Sequence, residues 1–304
     1  MSDAPVPQPG IMELTPYKAF AKPKRPGRLI RLMANEGALG PSPKAVEAYK
    51  AAAGEIHRYP ESGSGTLVSA LAKHHGLDPE KLVIGNGSDE LIELICHCFA
   101  GPGDEVLYAW RSFEAYPIIT TIAGATSVAV PLTPGWAHNL AAMAAAITSR
   151  TAVIFVCSPN NPTGTTVTQE TFDHFMSQVP SDVLVVVDEA YVEFNRDPLT
   201  VDGMRSRQRY RNVGVLRTFS KAYGLASLRI GFFIGPAAVA QAVRKTAVPF
   251  GVSSVAQAAA VASLQMEQEL FQRVEQIVQS RRWFEDELRA RGYDVPESQA
   301  NFVW

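Results

Sequence analysis

Four apolar runs in this chain end on residues that can do chemistry: KLVIG runs into GNGSDE (85–90), AVIFVC into SPNNPTG (158–164), VLVVV into DEAY (188–191), and VGVLRTF into Ser220 and Lys221. Asp188 closes a run so apolar that both its faces must be buried. An unpaired buried carboxylate is expensive, so Asp188 requires a cationic or protonated partner, and no basic residue adjoins it. A ligand carrying a protonated ring nitrogen meets that need, and Tyr191 brings a phenol nearby. The amide of Asn161 offers a donor and an acceptor to a ligand oxygen. The glycine-rich turn at GNGSDE presents free N–H groups and a helix dipole to a phosphate. Each feature also has a plainer reading: a solvated lysine past a strand, ordinary turn chemistry, a rigid strand terminator.

Taken together they match one cofactor. Pyridoxal phosphate needs a lysine for its carbonyl, a carboxylate on its pyridinium nitrogen, donors on its phenolate oxygen and a phosphate cradle. Lys221, Asp188, Tyr191 with Asn161, and Gly87 and Ser88 with Ser220 and Arg229 supply all four. A nucleotide dehydrogenase is excluded, because its glycine fingerprint is broken at Glu90 and it has no use for Lys221; a Walker loop lacks its Gly-Lys-Ser/Thr ending.

The elements that must position these groups alternate. KLVIG, EVLYA, TSVAVPL, AVIFVCS, VLVVVD, VGVLRTF and GFFIG read as strands, separated mostly by helical stretches such as 88–99 and 168–178, which predicts an α/β fold with a mostly parallel sheet. Helices are also expected at 44–53 and 65–75. One long helical region is expected from 253 to about 290, and YDVPESQANFVW (293–304) is expected to begin a second, smaller sheet. Residues 1–28 read as a Pro- and Lys-rich arm that docks on something else.

With 304 residues and 46% hydrophobic side chains the chain can fill two packed units, and 28 Lys+Arg against 30 Asp+Glu leave no field for nucleic acid. The start MSDAPVPQPG lacks a secretory pattern and no later run spans a membrane, so a cytoplasmic protein is expected. Three cysteines agree with a reducing compartment; Cys96, His97 and Cys98 lack metal-ligand spacing, so no metal is expected.

The chain resembles the fold-type I aminotransferases that depend on pyridoxal phosphate, within the histidinol-phosphate aminotransferase subfamily. HRYP (57–60), GNGSDE, SPNNPTG, DEAY and TFSKAYGLASLRIGF (218–232) stand in that family's order, and the likeness runs from LTPYKAF at Leu14 to Trp304. WRSFEAYP (110–117), VPFGVSSVAQAAAVASL (248–264) and SQANFVW (298–304) are most similar to bacterial aromatic amino acid aminotransferases. The resemblance implies a large domain with a central, mainly parallel sheet, a smaller α+β domain made from both chain ends, and a homodimer with shared active sites. The divisions are 1–40 for the arm and its part of the small domain, 41–252 for the large cofactor-binding domain, and 253–304 for the linking helix and start of the C-terminal small domain.

It further implies that Lys221 holds the cofactor and moves the proton at the substrate's Cα, and that Asp188 keeps the ring nitrogen protonated. Asn161 and Tyr191 would bond the 3-oxygen, while Gly87, Ser88, Ser220 and Arg229 hold the phosphate with Tyr59 of the other subunit. Phe113 would stack on the ring, Asp89 support the ring edge, and Tyr17 and Asn35 line the substrate side. The implied reaction moves an amino group between an aromatic amino acid and 2-oxoglutarate, histidinol phosphate being the alternative donor. A threonine-phosphate decarboxylase-like lyase and a truncated pseudoenzyme are further readings. Two departures stand out: the family's Asn-Glu-Asn-Pro appears here as ANEGALG (34–40), and no residue matches the arginine that clamps the substrate carboxylate, so either a fragment or an incomplete small domain is expected.

Overall fold

Strands buried on both faces lose the polar alternation of an edge sheet, and the run Leu184–Asp188 is such a strand, with every residue buried. In the computed structural model, which describes residues 5–15 and 32–304, it is the centre of a seven-stranded sheet. The strands are β1 (Leu82–Gly85), β2 (Glu105–Trp110), β3 (Thr126–Pro131), β4 (Thr151–Cys157), β5 (Leu184–Asp188), β6 (Val213–Thr218) and β7 (Gly231–Ile234), in the order β1-β7-β6-β5-β4-β2-β3. All neighbours are parallel except that β7 runs antiparallel to both β1 and β6. The seven sequence-predicted runs are these seven strands.

The helices are α1 (Pro43–Ala52), α2 (Gly65–His75), α3 (Gly87–Phe99), α4 (Ala115–Ile122), α5 (Leu140–Ala145), α6 (Gln169–Met176), α7 (Gly203–Arg209), α8 (Ala237–Thr246), α9 (Ser254–Leu264) and α10 (Glu267–Ala290). Side chains alternate across a strand, so each strand feeds two cores. Leu184 and Val186 join Phe155, Tyr116 and Ile119 beneath α3, α4 and α8. Val185 and Val187 join Ile154, Phe172 and Phe175 beneath α5 and α6 on the other face. A third cluster on that second face joins the strands at the β1 end to α1, α2, α9 and α10.

The same alternation separates two adjacent carboxylates. Asp188 shares the parity of Val186 and faces α4, whereas Glu189 faces the other way and meets Arg217 of β6, its Oε2 accepting from Nε at 2.9 Å and Nη2 at 2.7 Å. Glu189 also accepts from Gly203 N at 2.7 Å. This pair, a buried Glu189 and a half-buried Arg217, ties the ends of the two strands that deliver Asp188 and Lys221. Removing one partner leaves a buried charge alone, so Arg217→Met is expected to lower stability by about 3–5 kcal/mol. Urea unfolding of the variant checks this, and an unchanged midpoint would refute it.

Two expectations are corrected. The helical region from 253 is two helices, α9 and α10, parted at Gln265 and Met266. Residues 293–304 form no strand; their polar groups are taken up singly, Ser298 N by Glu285 Oε1 at 2.9 Å and Gln299 N by Gly164 O at 2.7 Å.

Candidate active site

In a parallel sheet the loops leaving the carboxyl ends of the strands gather at one edge. Here they enclose a cavity of about 680 Å³ lined by Ser88 and Asp89 after β1, Phe113 after β2, Asn161 after β4, Asp188 and Tyr191 of β5 and its loop, Ser220 and Lys221 after β6, and Arg229 before β7. Asn35 closes it from the N-terminal side, donating from Nδ2 to Tyr191 Oη at 3.2 Å. Gly87 lies just behind the wall. It adopts φ +78°, the left-handed region that favours glycine, and its Cα faces the Arg229 guanidinium. Two candidates are elsewhere: Tyr59 is 83% exposed with its ring against Phe250 at 4.9 Å, and Tyr17 lies outside the described residues.

The turn at 85–90 explains why Glu90 stands where a dinucleotide fingerprint has glycine. Its carboxylate accepts from Asn86 N and Nδ2, closing the first turn of α3. The start of that helix is pressed against β7, for a side chain at Gly231 would meet Ser88 N at 2.6 Å. Beside the helix start stand the Ser220 hydroxyl and the Arg229 guanidinium, 3.4 Å apart, the latter also paired with Asp89 Oδ2 at 2.6 Å.

Asp188 is 2% exposed and forms no ion pair among the described residues. Burial pushes its carboxyl up to about 6, against the pull of the Tyr116 hydroxyl, which donates to Oδ2 at 2.7 Å, and of Ala190 N, which donates to Oδ1 at 3.3 Å. Lys221 Nζ donates to Ala34 O at 3.0 Å and sits 5.6 Å from the Tyr191 ring centre. Burial lowers its pKa, Asp89 opposing and Arg229 assisting, which favours the neutral, nucleophilic amine. Burial likewise raises the Tyr191 phenol, which keeps its proton. Phe113 meets Tyr116 edge-on at 5.6 Å and stands on the cavity wall before α4, so it is neither in a helix nor sealed in the core.

Sequence reasoning missed Tyr116, the donor to Asp188. Its signal was its place three residues after Phe113, inside a motif already singled out. It also passed over Asn160, whose neighbour Asn161 drew the attention. Among the described residues no group of three or more His, Cys, Asp or Glu converges as a metal site would require.

Residues 28–304 match the family model described as Aminotransferase class I and II. The chain is 55% identical over 274 residues to the aromatic amino acid aminotransferase of Streptomyces coelicolor, covering 90% of this chain and 76% of that protein. It is 49% identical over 292 residues to the aromatic amino acid aminotransferase of Thermobifida fusca, covering 96% and 81%. Among solved structures, histidinol-phosphate aminotransferase from Sinorhizobium meliloti in complex with pyridoxal-5'-phosphate superposes with a TM-score of 0.84 at 31% identity, over 89% of this chain and 73% of that one.

Proposed function

We propose that this chain, which belongs to the class I and II aminotransferases, transfers the amino group between an aromatic amino acid and 2-oxoglutarate. The family is dependent on pyridoxal phosphate, and the donor set fits that group. The observation that carries the reading is Asp188: a buried carboxylate, raised by burial and held only by neutral donors, is suited to a protonated ring nitrogen. When bound, the cofactor supplies a carbonyl to receive the amino group and a cationic ring that draws electron density from the substrate's Cα.

The chain's own residues do the rest. Asp188 would hold the ring nitrogen protonated. Asn161 and Tyr191 would donate to the 3-oxygen, and Phe113 would cover one ring face. Gly87, Ser88, Ser220 and Arg229 would hold the phosphate at the start of α3, where backbone dipole and guanidinium add. Lys221 would anchor the carbonyl carbon and, once released, take and return the proton at Cα. Asp89, already paired with Arg229, would set that guanidinium's direction, a different task from supporting the ring edge. Asn35 would face the substrate. The apolar part of the wall, including Phe113, Ala115, Ile118 and Pro162, favours an aromatic side chain over a phosphate ester.

The proposal extends to a cytoplasmic homodimer. Cys96, Cys98 and Cys157 are all free, as a reducing compartment keeps them, and no helix among the described residues is long and apolar enough to cross a membrane. Tyr59, with Ile56, Val248 and Phe250, forms an exposed apolar surface that a second copy would cover, bringing Tyr59 to the phosphate of the other site. The divisions at 40 and 252 belong to the same proposal, with α9 packing on α1 and α2 across the second of them.

The test is the absorption spectrum of the protein with pyridoxal phosphate, before and after L-phenylalanine or histidinol phosphate. Loss of the visible band with phenylalanine and its return with 2-oxoglutarate is expected. Conversion by histidinol phosphate alone would reassign the donor to histidine biosynthesis, and release of carbon dioxide would reassign the reaction class.

A further inference from the structure

The loop that carries Asn161 is held from beneath by the residue before it. Asn160 is 0% exposed, and every polar atom of its side chain is matched. Its Nδ2 donates to Arg111 O at 3.1 Å, and that carbonyl, which can only accept, settles the amide's orientation. Nδ2 also donates to Thr163 Oγ1 at 2.9 Å; Thr163 is then free to donate to Thr165 Oγ1 at 2.8 Å, and Thr165 donates to Trp136 O at 2.8 Å. Oδ1 accepts from Ser112 Oγ at 2.7 Å and from His138 Nε2 at 3.0 Å. The His138 proton therefore resides on Nε2, and Nδ1 is a buried acceptor without a partner among the described residues. Burial pushes His138 down to about 4, so the ring stays neutral and this tautomer persists.

We infer that Asn160 is the positioning residue that sets Phe113 and Asn161 against each other across the cavity, an inference that rests on the cavity being the pyridoxal phosphate site. Arg111 and Ser112 lead directly into Phe113, and Asn161 follows Asn160. The loops after β2 and β4 leave neighbouring strands whose pairing ends at Tyr108 and Phe155. Beyond that register the Asn160 carboxamide is the link, joining both loops to His138 from the segment between β3 and α5. Two donations, to a carbonyl and a hydroxyl, and two acceptances, from a hydroxyl and an imidazole, exceed what a Ser or Thr hydroxyl offers and match a short carboxamide. Aspartate would turn an acceptor toward Arg111 O.

The holoenzyme tests this. Asn160→Ala should raise the dissociation constant for pyridoxal phosphate by about tenfold or more, and shift the pH midpoint of the bound cofactor's absorption change upward, as a displaced Asn161 no longer favours the deprotonated form. His138→Gln, whose amide can still donate, should remain within about twofold of wild type, whereas His138→Leu should not. Wild-type affinity and midpoint in Asn160→Ala, with only a lower melting temperature, would make Asn160 structural and overturn the inference. Should that variant not fold, Ser112→Ala decides by the same two readouts. Failure of the wild-type protein to bind pyridoxal phosphate would instead sink the reading of the site, so the two failures are told apart.

Discussion

Lys221→Ala is expected to lower turnover by at least about 10⁴-fold while the chain stays folded, because one amine is asked both to hold a carbonyl and to move a proton. The fold has little stake in that side chain. Its amine makes one hydrogen bond, to Ala34 O, and Lys221 belongs to none of the three core clusters. Circular dichroism and melting temperature should therefore match the parent. A small exogenous amine should restore part of the proton transfer in single-turnover measurements. Turnover above about a hundredth of the parent rate would remove Lys221 from the mechanism.

Asp188→Asn is expected to act in opposite directions on activity and stability. The loss of rate should reach about 10²–10³-fold, since an amide cannot hold a ring cation in a buried site. The cofactor-free protein, however, should gain stability. Burial raises the native carboxyl to about 6, above its unfolded value, so the native state binds the extra proton and the ionised form carries a penalty that is fully present above about pH 6. That penalty is about 2–3 kcal/mol at pH 7 and fades as the pH falls toward the unfolded value. Thermal unfolding of both cofactor-free proteins should show the variant ahead at pH 7 and the gap closing by about pH 4. A variant less stable at pH 7, or a gap independent of pH, would show that Asp188 carries no such penalty.

The strands were legible because a parallel sheet writes its burial directly into the sequence: AVIFVC and VLVVVD admit no other comfortable environment. The turn residues at their ends were legible for the same reason, since polar groups at the rim of such a sheet need partners. Contacts between distant loops were not. The donor to Asp188 comes from Tyr116, and the acceptor for Lys221 is the carbonyl of Ala34, neither of which any local pattern connects to its partner. The break at Gln265 was equally hidden. No glycine or proline marks it, and it follows from packing, α9 lying on α1 and α2 while α10 reaches the turn after Tyr191. The apolar look of NFVW suggested a strand, but the segment joins no ladder, and Asn301 Nδ2 donates instead to Asn35 O at 3.1 Å.

The strand order bears on how the molecule is made. Among the described residues β1 is the first of the seven strands in chain order, yet its one neighbour in the sheet is β7, the seventh. Until that late strand arrives, Leu82, Val83 and the start of α3 have no ladder to join, and the glycine-rich turn between them cannot be set. Central pairings among β4, β5 and β6 can form earlier, over shorter loops. During synthesis the catalytic edge should therefore be completed from its middle outward, with Asp188 in place before Ser88, and affinity for a phosphate ester should be among the last properties the nascent chain acquires.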